Sequence, residues 1–152
     1  MNIKVAKFGG TSMANKEAIQ KVKDIVQSDS ERRFIVVSAP GKRFKGDEKI
    51  TDLLLASYEE KNNSGDCHIY FGKVRDRFKE IVNDFNLKID IDKYLDEIEE
   101  NINNSTSSDY AASRGEYLSA LVMSEILGFE FVDSADIIKF NKKGNFDASY
   151  TN

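Results

Sequence analysis

Tryptophan is absent from this sequence, and cysteine, histidine and proline occur once each in 152 residues. The single cysteine, Cys67, excludes an internal disulfide framework and makes a reducing, cytoplasmic compartment the expectation. One Cys and one His are too few of the usual ligands for a zinc centre. Cys67 and His68 are also sequence neighbours near a helix start, so their side chains point in different directions, which argues against a catalytic dyad. No run approaches the roughly 18 apolar residues of a membrane span, and the first residues read as a strand rather than a signal peptide, so no membrane partner is expected. A basic excess is missing too: the net charge is −4, which gives no electrostatic basis for nucleic-acid binding.

What is present is a soluble, globular composition, 40% apolar and 32% charged. A chain of this length forms one domain that buries roughly 70% of its unfolded surface. Residues 3–8 (IKVAKF) alternate and end at Gly9-Gly10, as a strand entering a turn does. Over residues 15–27, Ala18, Ile19, Val22, Ile25 and Val26 recur at helical spacing. Residues 34–37 are a continuous apolar run of strand length, stopped at Pro40-Gly41. Strand, helix and strand in this order predict a βαβ unit with a parallel sheet.

Helices are predicted over residues 51–61, 68–85, 90–103 and 110–127, with the polar NNSTSSD supplying a cap for the last. The six acids between Asp90 and Glu100 read as a solvated face, since they show no compact ligand spacing. After Gly128, FEFVDSADIIKF reads as one or two short strands broken near residues 133–136, for a sheet of three or four strands in all.

The segment with most chemical content is KFGGTS, residues 7–12. Glycines at 9 and 10 permit positive φ angles and close approach of a ligand to backbone N–H groups, and a following helix adds unpaired donors. Thr11 and Ser12 offer hydroxyls, and Lys7 is a point charge within reach of a phosphoryl group. The segment is neither a GxxxxGK[ST] loop nor a GxGxxG fingerprint, so a plain strand-to-helix turn stays open beside phosphate binding. Lys42, Arg43, Lys45 and Lys49 form a loop that either steers an anion or is simply solvated. Glu116, in SRGEYLS, lies close to the apolar face of its helix, where it either pairs with Arg114 or a neighbouring helix or awaits a cationic ligand group.

Taken in order, KFGGTS after the first strand, VVSAPG after the second, ITDLL opening a helix and SRGEYLS inside a later one resemble the aspartokinases, within the amino acid kinase family. The resemblance runs from Lys4 to DSADIIKF and the FDA that follows. It implies ATP-dependent phosphorylation of the β-carboxylate of L-aspartate to 4-phospho-L-aspartate, the first step toward lysine, threonine and methionine. It further implies that Lys7, Phe8, Gly9 and Gly10 hold ATP phosphates, with Thr11 and Ser12 as helpers and Lys7 as the catalytic charge. Thr51 and Glu116 match the aspartate-binding positions, with Ser38 a further hydrogen-bonding candidate, and Mg²⁺ rides mainly on the nucleotide. The expected fold is a three-layer α/β sandwich on a mainly parallel sheet, incomplete in this chain. Residues 1–152 are expected to be the amino-terminal, amino-acid-binding part, without the glycine-rich GRGGSD-like segment, the nucleotide-binding half and the ACT regulatory domains of the family. Such a chain is expected to bind nucleotide poorly, to lack feedback regulation by lysine or threonine, and to associate through its open sheet, a homo-oligomer being one form. The alternative is a noncatalytic module of the same fold that binds an amino acid, an anion or a partner.

Overall fold

The computed structural model describes residues 2–105 and 107–151. Strand β1 (Lys4–Phe8) leads through a 3-10 turn (Gly10–Met13) into helix α1 (Lys16–Gln27), which returns the chain to strand β2 (Arg32–Val37). The two strands pair in parallel, with Val5 opposite Phe34, Lys7 opposite Val36 and Phe8 opposite Val37. This is the βαβ unit that the hydrophobic patterning predicts. Four long helices follow: α2 (Ile50–Ser64), α3 (His68–Asp84), α4 (Ile91–Asn104) and α5 (Ser108–Leu127). Two short helices, α6 (Ser134–Ile137) and α7 (Ala148–Thr151), lie beyond.

Helices α1 and α5 carry side-chain caps. Helix α1 is capped by Asn15, whose side-chain oxygen accepts from the Ala18 N–H at 2.9 Å. In α5 the Ser107 hydroxyl oxygen accepts from the Asp109 N–H, and Gly128 ends the helix in the left-handed region at φ 70°, which a glycine adopts without steric cost.

The core lies where α2 meets α3 and α5 and where α3 meets α4. Ile50 and Leu54 of α2, Phe71, Val74 and Phe78 of α3, Leu95 and Ile102 of α4, and Leu118 of α5 are all fully buried. Each contributes roughly 1.5–3 kcal/mol of hydrophobic free energy. Opposite this apolar seam, the acids of α4 have work the sequence does not display. Asp92, Asp96 and Glu99 all reach the Arg75 guanidinium of α3 at 2.8–3.0 Å, so much of that face is an interhelical ion network rather than a purely solvated one.

Alternation divides the sheet into two unlike faces. Phe8, Ile35 and Val37 pack against the helical core, whereas Val5 and Phe34 on the other face are 68% and 59% exposed, and Ile3 and Val36 are exposed beside them. A sheet layer and a helical layer are thus in place.

The expected strands in FEFVDSADIIKF do not form among the described residues. The Asp133 carboxylate accepts from the Ala135 N–H at 2.9 Å and starts α6, and an isolated antiparallel bridge between Phe140 and Phe146 is the strand-like pairing there. The sheet of the described residues has two strands. No helix among these residues is long and apolar enough to cross a membrane.

Candidate functional site

Parallel pairing brings the carboxyl ends of β1 and β2 to the same end of the sheet, which is where open α/β folds place ligands. Two loops leave from there, residues 9–15 and residues 38–49, and they touch. The Gly41 N–H donates to the Gly10 carbonyl at 2.9 Å. A Cβ on Gly10 would stand 3.0 Å from the Ala39 carbonyl oxygen, and one on Gly41 would stand 3.0 Å from the Gly10 carbonyl carbon and oxygen. Both positions therefore have to be small for the loops to meet. Gly9 differs: it is extended, with φ −79° and ψ 177°, and open space surrounds it.

The turn departs from the sequence expectation in two ways. Neither Gly9 nor Gly10 uses a positive φ, so Gly10 is required for close approach and not for a left-handed turn. Nor does α1 begin directly behind the turn. The intervening 3-10 turn is closed by the Ser12 N–H donating to the Gly9 carbonyl, and in the first turn of α1 the Ala18 N–H donates to the Asn15 side chain. The N–H groups of Gly10 and Thr11 have no acceptor among the described residues. Met13, fully buried, anchors the turn to the core. Lys7 is exposed beside Val36, its ammonium without an ion pair among the described residues, while Thr11 is exposed and Ser12 half-buried.

The second half of the site comes from α2 and α5. The Ile50 N–H donates to the Pro40 carbonyl at 3.1 Å, which hangs the start of α2 on the loop after β2. Gly115 of α5 faces the same place: a Cβ there would stand 2.5 Å from the Ala39 Cβ, 3.3 Å from the Ile50 Cγ2 and 3.4 Å from the Leu54 Cδ1. Ala39, Ile50 and Gly115 thus meet at one point, and their chain neighbours are Ser38, Thr51 and Glu116. Ser38 and Thr51 are half-buried and Glu116 is exposed. The side chains of all three lack a hydrogen-bond or ion-pair partner among the described residues.

The alternatives weighed from sequence resolve differently. Glu116 does not pair with Arg114, whose guanidinium instead lies 4.8 Å from the Tyr110 ring centroid and 4.6 Å from that of Tyr117. Arg43 is committed internally: its Nε and Nη2 donate to the Asp47 carboxylate at 2.8 and 3.0 Å, and its Nη1 to Glu80 at 3.0 Å. The Arg43 guanidinium accordingly holds the Asp47 carboxyl well below the usual carboxylate range. Lys42, Lys45 and Lys49 stay exposed.

Ligand atoms of Asp66, Cys67 and Glu99 lie within 4.8 Å of one another. However, burial pushes the Cys67 thiol up to about 12, its Sγ donates to the Glu99 carbonyl, and the Glu99 carboxylate is taken by Arg75. A thiol held protonated is a poor metal ligand. His68 is exposed beside Asp66, its Nδ1 3.1 Å from the carboxylate.

Sequence reasoning passed over three residues that assemble this site. Gly115 is visible as a glycine inside a helix, an arrangement that costs about 1 kcal/mol relative to alanine and signals close packing. Gly41, read from sequence only as part of the Pro40-Gly41 stop, is where the two loops touch. Arg77 falls on the apolar stripe of α3, between Val74 and Phe78, where a charged residue needs a reason to be.

Comparison with known proteins places this fold in a family. The profile of the amino acid kinase family matches residues 2–147. Aspartokinase 3 of Bacillus subtilis (strain 168) is 42% identical over 85 residues, which is 56% of this chain and 19% of that protein. The crystal structure of Clostridium acetobutylicum aspartate kinase superposes with a TM-score of 0.94 at 44% identity, covering 99% of this chain and 35% of that one. E. coli aspartokinase III, in a complex with aspartate and ADP, superposes with a TM-score of 0.73 at 27% identity, covering 99% of this chain and 36% of that one. This chain therefore spans about a third of the length of these solved relatives. Two touching loops at the strand ends, a helix hung on the second and a glycine-bearing helix pressed against it are accordingly the local structure of a chain that belongs to the amino acid kinase family.

Proposed function

We propose that this chain carries the L-aspartate-binding and phosphate-facing elements of an aspartate kinase. The observation that supports the reading is the meeting of Ala39, Ile50 and Gly115, whose chain neighbours Ser38, Thr51 and Glu116 have side chains without a partner among the described residues. A carboxylate and two hydroxyls suit an α-amino acid: Glu116 takes the ammonium, and Thr51 and Ser38 donate to a carboxylate. The relative from E. coli with aspartate and ADP bound supports both ligands for this site.

The reaction is a phosphoryl transfer. One oxygen of the aspartate β-carboxylate forms a bond to the γ-phosphorus of ATP. The bond from that phosphorus to the β,γ-bridging oxygen breaks, and its electron pair leaves with ADP. The nucleophile is already an anion, so no general base is required, and the protein supplies position and charge. Lys7 neutralises charge on the transferring group, and the N–H groups of Gly10 and Thr11 donate to phosphate oxygens, with Phe8, Gly9 and Ser12 completing the segment. Every group named at the turn is a donor and none is a carboxylate. These residues fit phosphate oxygens and leave Mg²⁺ to be carried by the nucleotide. The product, 4-phospho-L-aspartate, places the reaction at the head of lysine, threonine and methionine synthesis, in the cytoplasm.

Because the chain spans about a third of its solved relatives, transfer is tested in a chimera in which it replaces the matching third of the Clostridium acetobutylicum enzyme. With L-aspartate, MgATP and hydroxylamine, the chimera yields the hydroxamate of the acyl phosphate. Lys7→Ala lowers the rate by about 10²-fold or more while L-aspartate still binds. Undiminished turnover of Lys7→Ala contradicts the role of Lys7. A folded chimera that binds L-aspartate without transferring phosphate favours the noncatalytic module.

A further inference from the structure

We propose that Arg77 is a positioning residue for the amino-acid site, fixing the separation between the glycine turn and residues 38–51. The inference rests on the aspartate reading above. Arg77 projects from α3 into the interior, 4% exposed, and its guanidinium is divided among separate stretches of chain. Nη2 donates to the Ala14 carbonyl at 3.2 Å and to the Gly41 carbonyl at 2.9 Å. Nη1 donates to the Glu48 carbonyl at 3.1 Å and lies 3.4 Å from the Asp47 carboxylate. Ala14 ends the turn that carries Gly10 and Thr11, Gly41 lies between Ser38 and the rest of its loop, and Glu48 stands three residues before Thr51. One rigid fork therefore ties the phosphate-facing loop, the Ser38 loop and the entry to α2 to a single helix.

The choice of residue supports a role in geometry. A buried guanidinium is a costly way to hold two loops if stability alone is at stake, because well-packed apolar side chains do so without desolvating a charge. What arginine adds is a planar fork whose N–H directions are fixed, so that carbonyls on its two sides are held at a set distance. The Asp47 carboxylate balances its charge and is itself gripped by Arg43, which orients the fork from the loop side. Lysine at this position keeps the charge but offers three rotatable donors from one point, and cannot span both sides.

The test is an L-aspartate titration of the 152-residue chain followed by amide NMR, for the wild type, Arg77→Lys and Asp47→Asn. Measurement is made well below each unfolding midpoint. A loss of global stability then leaves the dissociation constant unmoved, and only a change in native geometry shows. Arg77→Lys is expected to weaken L-aspartate binding by about tenfold or more, in keeping with the cost of sub-ångström misplacement of binding groups. The Gly41 amide, held on Gly10 in the wild type, is expected to exchange faster in Arg77→Lys while amides in α4 keep their protection. Asp47→Asn, which leaves the carbonyl bonds of Arg77 in place, weakens binding less.

Unchanged affinity and unchanged Gly41 protection in a folded Arg77→Lys chain overturn the proposal. So does global unfolding of both variants, which makes Arg77 a structural staple only. A wild-type chain that does not bind L-aspartate overturns the aspartate reading itself, and this inference with it. Binding by the wild type together with a null effect in the variants overturns only the role of Arg77.

Discussion

One methyl group separates the packing that assembles this site from packing that does not. Gly115→Ala gains about 1 kcal/mol of helix propensity, yet its Cβ would stand 2.5 Å from that of Ala39, and forcing a methyl into a filled core costs about 1–3 kcal/mol. The overlap is severe and between two unyielding Cβ atoms, so the strain wins. Urea unfolding is expected to show a net loss of about 1–2 kcal/mol, most of it restored when Ala39→Gly is added in the same chain. No restoration by the second change places the strain elsewhere. Residues of this kind set the limit of what a sequence tells. Lys7, Gly10, Thr51 and Glu116 stand out as candidates because each lies in a motif whose order is specific. Arg77 carries no such mark: its partners Ala14, Gly41 and Glu48 are backbone carbonyls, and a carbonyl leaves no trace in the identity of its residue.

Among the elements, the long helices were legible throughout, because the 3.6-residue spacing of Ile19, Val22 and Val26, or of Leu95, Ile98 and Ile102, is local information. The segment after Gly128 was not. A strand is defined by a neighbour, and where none is at hand an Asp133 carboxylate that caps the next N–H groups decides the conformation instead. Residues 38–49 are the element whose behaviour depends most on charge. Asp47, gripped by Arg43, has its folded-state pKa depressed below its ordinary 3.8. A depressed carboxylate contributes stability that is fully present above the unfolded-state value and is lost as the pH falls below it toward the folded-state value. Asp47→Asn is therefore expected to lower stability at neutral pH and to flatten the decline between roughly pH 4 and more acid conditions. Denaturant midpoints measured across that range check it, and an acid limb as steep as that of the wild type contradicts the assignment.

At the scale of the whole molecule, the two faces of the sheet part company. Residues 34–37 are apolar without interruption, the pattern of a strand covered on both sides, but Phe34 and Val36 are exposed along with Ile3 and Val5. Contiguous apolar surface of this kind drives association. The chain is expected to sediment with a concentration-dependent mass, and Phe34→Lys, on the open face, to lower that mass without altering the helical signal. A monomer at all concentrations, or association indifferent to Phe34→Lys, contradicts this. Belonging to the amino acid kinase family accounts for four motifs far apart in sequence lying near the strand ends, since Ala39 meets both Gly10 and Gly115, and Gly115 meets Ile50. Whether that convergence is an L-aspartate site is decided most directly by titrating the chain with L-aspartate and following its backbone amides, in the wild type and in Glu116→Gln. Saturable shifts centred on residues 38–41, 50–52 and 115–116 in the wild type, with affinity reduced about tenfold or more in Glu116→Gln, are the predicted result. Shifts scattered over the surface, or equal affinity in Glu116→Gln, would contradict it.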